Sequence, residues 1–373
     1  MLLCIILSVG AKKAFGAESM LKCTRCGRTY PETFRLRCDC GGTLLVERGY
    51  YDFFGSILPY LDMRRYLSFL PIGGNYLPPA VPSITPTTSL QIGSAFGLFK
   101  LEYLQPSGSF KDRGTFVTVA KLMEGGINEV VIDSSGNAAL SMALYSLPAG
   151  IRVHAFVSYD AMQEKLSLLQ RLGAIVHFVD GDRMEVHERA VEFAEREGVT
   201  YVSHWFNPYF LEGTKTAAFE AYEQVGVPDY VLAPIGSGTL FLGLWKGFKE
   251  LEKMGEITRL PVFVAVQASG YESLCERSKL SNPLADGIAI PEPPRREEME
   301  KVLGETGGTC VSVGEPETRG ALSWLRRVGF LVEPTSATVL AAMWNLVERG
   351  EIPDGSKVLL PLTGSGLKLT QGI

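Results

Sequence analysis

The chain alternates short, nearly continuous apolar runs with helical stretches. Glu-Val-Val-Ile-Asp-Ser-Ser (129–135) is followed by a helical segment at 137–147, Arg-Val-His-Ala-Phe-Val-Ser (152–158) by one at 161–173, and Ala-Ile-Val-His-Phe-Val-Asp (174–180) by one at 184–198. The order returns at 229–235 with a helix at 241–255, then at 261–268, and last in Lys-Val-Leu-Leu-Pro-Leu-Thr-Gly (357–364). Strands that are apolar on both faces and separated by helices belong to parallel sheets covered on both sides, so the fold class is α/β. Open sheets of this kind take their ligands at the carboxyl ends of the strands. A chain of 373 residues exceeds one small core, and two domains are expected.

Charge narrows the function. The 36 Lys and Arg stand against 41 Asp and Glu, a net charge of −5, with no basic block. Nucleic acid is therefore not an expected partner. The N-terminal apolar run of about nine residues is too short for a bilayer, which takes about 20, and no positive charge precedes it as in a secretory signal. Residues 1–20 read as an extension, Met20 stands just before the first recognisable module, and a cytoplasmic, non-membrane protein is expected.

That module is Cys-Thr-Arg-Cys at 23–26 with Cys-Asp-Cys at 38–40. Short loops between paired cysteines let four thiolates close a tetrahedral zinc site at about 2.3 Å each. A segment of about 25 residues needs such a staple to fold. Cys23, Cys26, Cys38 and Cys40 are thus candidate ligands of a structural zinc, in a zinc-ribbon-like module over 21–46. Two disulfides are the alternative. Cys275 and Cys310 read as buried, small apolar residues.

Three predicted strand ends carry Gly and small hydroxyls: Ser134-Ser135-Gly136-Asn137, Gly236-Ser237-Gly238-Thr239 and Thr363-Gly364-Ser365-Gly366. The first two run directly into helices, and each offers the free N–H groups that bind anions. Neither a Walker lysine motif nor Gly-x-Gly-x-x-Gly occurs, which argues against nucleoside triphosphates and dinucleotides. A further loop, Pro106-Ser107-Gly108-Ser109-Phe110-Lys111-Asp112-Arg113-Gly114, places a lysine at the mouth of a helix. The positive end of the helix dipole and shielding by Phe110 both disfavour the ammonium there. Such a lysine is suited to attack a carbonyl and form a Schiff base. The anion loops suit an aldehyde that also bears a phosphate, pyridoxal 5′-phosphate. A surface lysine paired with Asp112 is the alternative.

"PSGSFKDRG", "SSGNAA", "LEGTKTAAFE", "APIGSGTL", "VEPTSA" and "PLTGSGLK" together resemble the threonine synthase branch of the fold-type II pyridoxal phosphate enzymes, over roughly residues 85–370. The cysteine module resembles one carried by some microbial threonine synthases. The resemblance implies that Lys111 holds the cofactor as a Schiff base and shuttles protons. It places Asn137 on the cofactor's 3′-oxygen, and Ser134, Ser135, Gly136 and Asn137 on the substrate carboxylate. Gly236, Ser237, Gly238, Thr239 and Leu240 would cradle the cofactor phosphate, and Thr363 would face the pyridine nitrogen. Val332–Ala337 would shape the floor of the site; Glu333 equally suits a helix cap and receives no catalytic role.

The implied reaction is the conversion of O-phosphohomoserine and water to threonine and phosphate. Two departures from the family pattern bear on it. Phe210 stands where threonine synthases usually carry arginine, a candidate ligand of the substrate phosphate, and Ser203-His204-Trp205-Phe206 is unusually aromatic. The upstream Gly-Glu-Gly-x-Thr-Pro-Leu is reduced to Thr85, Pro86 and Leu90. Lys100, Lys165 and His204 remain as substitutes, each also readable as a surface or packing residue. The alternative reaction is β-elimination or β-replacement on serine, threonine or O-phosphoserine; a catalytically silent binding protein is a third reading. The expected architecture is two open three-layer α/β/α lobes with mostly parallel sheets, a small one at 120–205 and a large cofactor-binding one at 47–119 with 206–373. Enzymes of this plan often form homodimers.

Overall fold

The computed structural model describes residues 19–49, 52–159, 161–181 and 183–369; the expected extension lies, through residue 18, outside them. The chain opens with three short strands, β1 (Met20–Cys23), β2 (Thr29–Pro31) and β3 (Leu44–Glu47), followed by the one-turn helix α1 (Phe53–Ser56). Then come β4 (Thr87–Ile92), β5 (Ala95–Lys100), α2 (Lys111–Glu124), β6 (Glu129–Ile132), α3 (Asn137–Ser146), β7 (Arg152–Ser158), α4 (Gln163–Arg171), β8 (Ile175–Val179), α5 (Arg183–Glu197) and β9 (Thr200–Tyr201). The rest comprises α6 (Pro208–Thr214), α7 (Thr216–Val225), β10 (Tyr230–Pro234), α8 (Thr239–Lys253), β11 (Val262–Ala268), α9 (Arg296–Thr306), β12 (Thr309–Val313), α10 (Glu315–Arg327), α11 (Pro334–Glu348) and β13 (Lys357–Pro361).

The alternation predicted from the sequence yields two parallel sheets. One has four strands in the order β8-β7-β6-β9, all parallel. The other has six, β12-β11-β10-β13-β5-β4, parallel except for the β4–β5 pair. The apolar runs Val231–Pro234 and Val358–Pro361 are buried throughout, as strands covered on both faces must be. The β1–β3 segment is a separate antiparallel sheet, order β2-β1-β3.

Residues 95–104, which the sequence reads as two short strands or a hairpin arm, supply one strand, β5, the second arm of a hairpin with β4, residue 92 opposite 95. Gly93 (φ +59°) makes the tight turn that joins them. Beyond Lys100 the chain turns into a short 3₁₀ segment, Glu102–Leu104, because Glu102 is drawn inward. Its carboxylate receives Arg113 Nε at 2.7 Å and Nη2 at 2.8 Å, while Glu220 receives Arg113 Nη1 at 2.6 Å and Lys100 Nζ at 2.7 Å. Thr85 joins through its N–H to Glu220 (3.1 Å). All five are buried. A buried charge survives only when paired and hydrogen-bonded, so this network pins α2, α7 and the β5 exit to one another.

Cys275 and Cys310 correct the expectation of buried thiols: both are half-buried and joined by a disulfide, with Cα atoms 5.2 Å apart. The reason is long-range. Gln267, at the end of β11, receives the N–H groups of Ser273, Leu274 and Cys275 at 3.1, 2.8 and 3.1 Å, which folds the following loop back over β12, where Cys310 lies.

Candidate active site

The loops after β5, β10 and β13 meet because those strands are parallel neighbours. Phe110 N–H donates to the Thr363 carbonyl (3.1 Å), and Ser109 bridges to Gly364, so the mouth of α2 is tied to the end of β13. Between this seam and the end of β6 lies a cavity of about 440 Å³. Lys111, Ser134, Ser135, Gly136, Asn137, Gly236, Ser237, Gly238, Thr239, Leu240 and Thr363 all line it. The eleven residues named from the sequence for the cofactor and the substrate carboxylate are therefore brought to the walls of a single cleft. Its size is that of an ordinary small-molecule site.

Lys111 is the first residue of α2. Asp112 does not serve it as a counterion: its carboxylate takes the Ser107 N–H (2.7 Å) and the Ser107 hydroxyl. The Lys111 ammonium instead lies 4.6 Å from the Phe110 ring centre and 5.7 Å from that of Phe210. The amine touches the cavity, yet the surrounding protein strips away enough water to lower its pKa from 10.5 to about 7. A lysine so placed is largely neutral just above pH 7, the state in which it acts as nucleophile or base.

The Gly236–Leu240 turn leads into α8. The first N–H groups of a helix have no carbonyl partner within it, so this end presents donors to the cavity. Gly238 has φ +80°, and a β-carbon there would stand 2.4 Å from Met299 Sδ. Gly236 is equally constrained, with Gly287 O 2.9 Å from where a β-carbon would lie. The cradle therefore requires glycine. Thr363 Oγ1 lies 3.1 Å from Ser336 Oγ, which fixes its hydroxyl at the end of β13.

Residues outside that set also line the cavity or hold its wall in place. Glu333 Oε2 accepts from Asn137 Nδ2 (2.7 Å), and Lys368 Nζ donates to Asn137 Oδ1 (2.6 Å). Lys165, from α4, lies 3.3 Å from Asp286 and 3.6 Å from Glu333. Asp133 accepts from Tyr201 Oη at 2.9 Å and lies 2.9 Å from His187 Nδ1. The sequence signal for Glu333 and Lys368 was their place inside the quoted motifs; nothing marked Asp286 or Asp133.

The substitutes considered for the missing arginine divide. Lys165 and His204 line the cavity; Lys100 does not, being committed to Glu220. Phe210 does not face the cavity either. It is buried on α6 against Gly114 of α2. Trp205, Phe110 and Phe156 supply the aromatic wall, and no arginine lines the cavity among the described residues.

The four cysteines of the N-terminal sheet converge as well. Their Sγ atoms all lie within 4.8 Å of one another, with Cys23–Cys40 and Cys26–Cys38 both at 3.5 Å. Thiolates about 2.3 Å from one tetrahedral ion stand about 3.8 Å apart, so the donor set fits zinc.

The glycine turn before α8, the Ser-Ser-Gly-Asn turn before α3 and a desolvated lysine thus open onto one cavity. The chain belongs to the pyridoxal-phosphate dependent enzymes, whose family description matches residues 82–364, and within them to the lyases of the threonine synthase branch. It is 31% identical to the threonine synthase of Methanocaldococcus jannaschii over 93% of this chain and 92% of that one. It is 32% identical to the threonine synthase of Synechocystis sp. over 86% and 83% respectively. Among solved structures, the processed form of threonine deaminase isoform 2 from Solanum lycopersicum shares the fold, with a TM-score of 0.67 at 21% identity over 76% of this chain and 80% of that one. No helix of the described residues is long and apolar enough to cross a membrane.

Proposed function

We propose that the chain is a threonine-synthase-like lyase converting O-phosphohomoserine and water to threonine and phosphate. The observation that carries this reading is the desolvated Lys111 amine opening onto the cavity that the three glycine-rich turns enclose. Pyridoxal phosphate, bound there, supplies an electron sink for charge that develops at the substrate's Cα. The residues of the chain supply the rest. Gly236, Ser237, Gly238, Thr239 and Leu240 hold its phosphate through backbone N–H groups, and Asn137 and Thr363 address its ring. Thr363 offers a hydroxyl and no negative charge, which moderates electron withdrawal and favours elimination and replacement. Ser134, Ser135 and the N–H groups at the start of α3 receive the substrate carboxylate. Lys111, neutral above about pH 7, takes the Cα proton and returns protons along the side chain as phosphate leaves Cγ and water adds at Cβ.

In this reading the two parallel sheets with their helices are the two lobes, 47–119 with 206–373 and 120–205. Residues 21–46 form a zinc-ribbon-like module whose four cysteines occupy every position on the metal, leaving a structural role. The protein is cytoplasmic and works as a homodimer on a free amino acid.

One observation favours the second reading, β-elimination or β-replacement on serine, threonine or O-phosphoserine. The cavity holds no arginine among the described residues, and Lys165 is already shared by Asp286 and Glu333. A screen of purified protein against each substrate, with product identification, separates the two. Threonine with phosphate supports the first; ammonia with a keto acid supports the second and overturns the first.

A further inference from the structure

We infer that Lys368 and Glu333 are positioning residues that fix the carboxamide of Asn137 so that it turns an N–H, and not its carbonyl, towards the cofactor. The inference rests on the reading that pyridoxal phosphate occupies the cavity.

An asparagine side chain has two ends of nearly equal shape, and packing alone does not choose between them. Here the chemistry of the neighbours chooses. Lys368 Nζ donates to Oδ1 at 2.6 Å; burial lowers its pKa, and the charges of Glu333 and Asp112 oppose that shift and favour the ammonium. The Glu333 carboxylate accepts, and its Oε2 lies 2.7 Å from Nδ2. Turning the amide over would set an ammonium against an NH₂ group and a carboxylate against a carbonyl, so both contacts would become repulsive. The two clamping residues come from elements far from Asn137 in sequence. Glu333 directly precedes α11, and Lys368 sits in the last 3₁₀ turn, Gly366–Lys368.

The clamp is built into the backbone. Glu333 N–H donates to the Gly364 carbonyl at 2.8 Å. A β-carbon on Gly364 would stand 1.9 Å from Glu333 Oε2 and 3.2 Å from Asn137 Nδ2, so only glycine lets the three groups meet. The remaining charges around the clamp are Lys165, 3.6 Å from Glu333 Oε1, with Asp286 behind it at 3.3 Å, and Asp112, whose charge acts on Lys368. Lys368 itself is 3.6 Å from Glu333 Oε1 and also donates to Gly108 O at 2.9 Å, which ties the clamp to the loop before Lys111.

Nδ2 carries two hydrogens. One goes to Glu333; the other is left for the cavity, whose wall Asn137 forms. The pyridoxal ring carries an oxygen beside its aldehyde carbon. A donor aimed at that oxygen favours its deprotonated form, while a carbonyl would favour the protonated one.

The test uses the full chain loaded with pyridoxal phosphate and reads the absorbance of the bound cofactor at one pH. The yellow band reports the oxygen deprotonated, the near-ultraviolet band the oxygen protonated. In Lys368→Met the yellow-to-ultraviolet ratio falls about tenfold, the size of one hydrogen bond to a charged group. Lys368→Arg, which keeps a donor, retains most of the parental ratio. Glu333→Gln, which keeps an acceptor, changes it less than Lys368→Met does. Bound cofactor is quantified after denaturation, so weak loading is not mistaken for a spectral change. A Lys368→Met protein that carries cofactor with the parental ratio overturns the clamp alone. A parent protein that gains no yellow band overturns the cofactor reading and the clamp with it.

Discussion

Gly114 and Phe210 interlock across the α2–α6 contact: a β-carbon on Gly114 would lie 2.4 Å from two carbons of the Phe210 ring. The ring is buried, and it stands behind Lys111 and outside the cavity. Gly114→Ala overpacks this contact and costs about 1–3 kcal/mol, seen as a lower midpoint in urea unfolding. Removing the ring relieves the clash, so Gly114→Ala with Phe210→Ala is less destabilised than the two single changes summed, by about 0.5–3 kcal/mol. Strict additivity would mean that the two residues do not touch.

The same contact decides what restoring the family's arginine achieves. Phe210→Arg buries a guanidinium among apolar neighbours, so thermal unfolding comes at a lower temperature and phosphate binds no more tightly. A variant of parental stability that binds phosphate more tightly would place position 210 in the cavity after all.

Lys111 sets a pH dependence. Its amine, lowered to about 7 by burial, is protonated below that pH and neutral above it. The rate at which cofactor-free protein captures pyridoxal phosphate, followed by the growth of the yellow band, falls about tenfold per unit below pH 7 and levels off above it. A rate that keeps climbing to the ordinary lysine range near pH 10 would contradict the burial argument, and Lys111→Ala forms no yellow band.

Arg113 holds two carboxylates that have no water. Arg113→Met leaves Glu102 and Glu220 with one buried cation, Lys100, and costs about 3–5 kcal/mol in chemical denaturation. Because Arg113 lies two residues from Lys111, turnover falls as well. Unchanged stability would show that the network contributes nothing.

The cysteine cluster predicts a metal content. The purified protein carries about one zinc per chain, and Cys26→Ser or a strong chelator removes it. Zinc loss exposes the segment before residue 48 to protease while the yellow band of the bound cofactor persists. A band that disappears with the zinc would give the metal more than a structural part.

Much of this protein can be read along the chain, since some signals are local. Apolar runs of strand length, glycine where φ must be positive, paired cysteines and a lysine at a helix mouth each announce themselves within a few residues. These determined the parallel α/β class, the strand ends that line the cavity and the place of Lys111. What stayed hidden depends on partners far apart. The Cys275–Cys310 bond, the burial of Phe210 behind Lys111 and the grip of Glu333 and Lys368 on Asn137 are set by which surfaces meet. Only the tertiary structure decided these, because a side chain's charge, hydration and hydrogen-bonding role depend on the groups folding brings beside it, up to 231 positions away for Asn137 and Lys368.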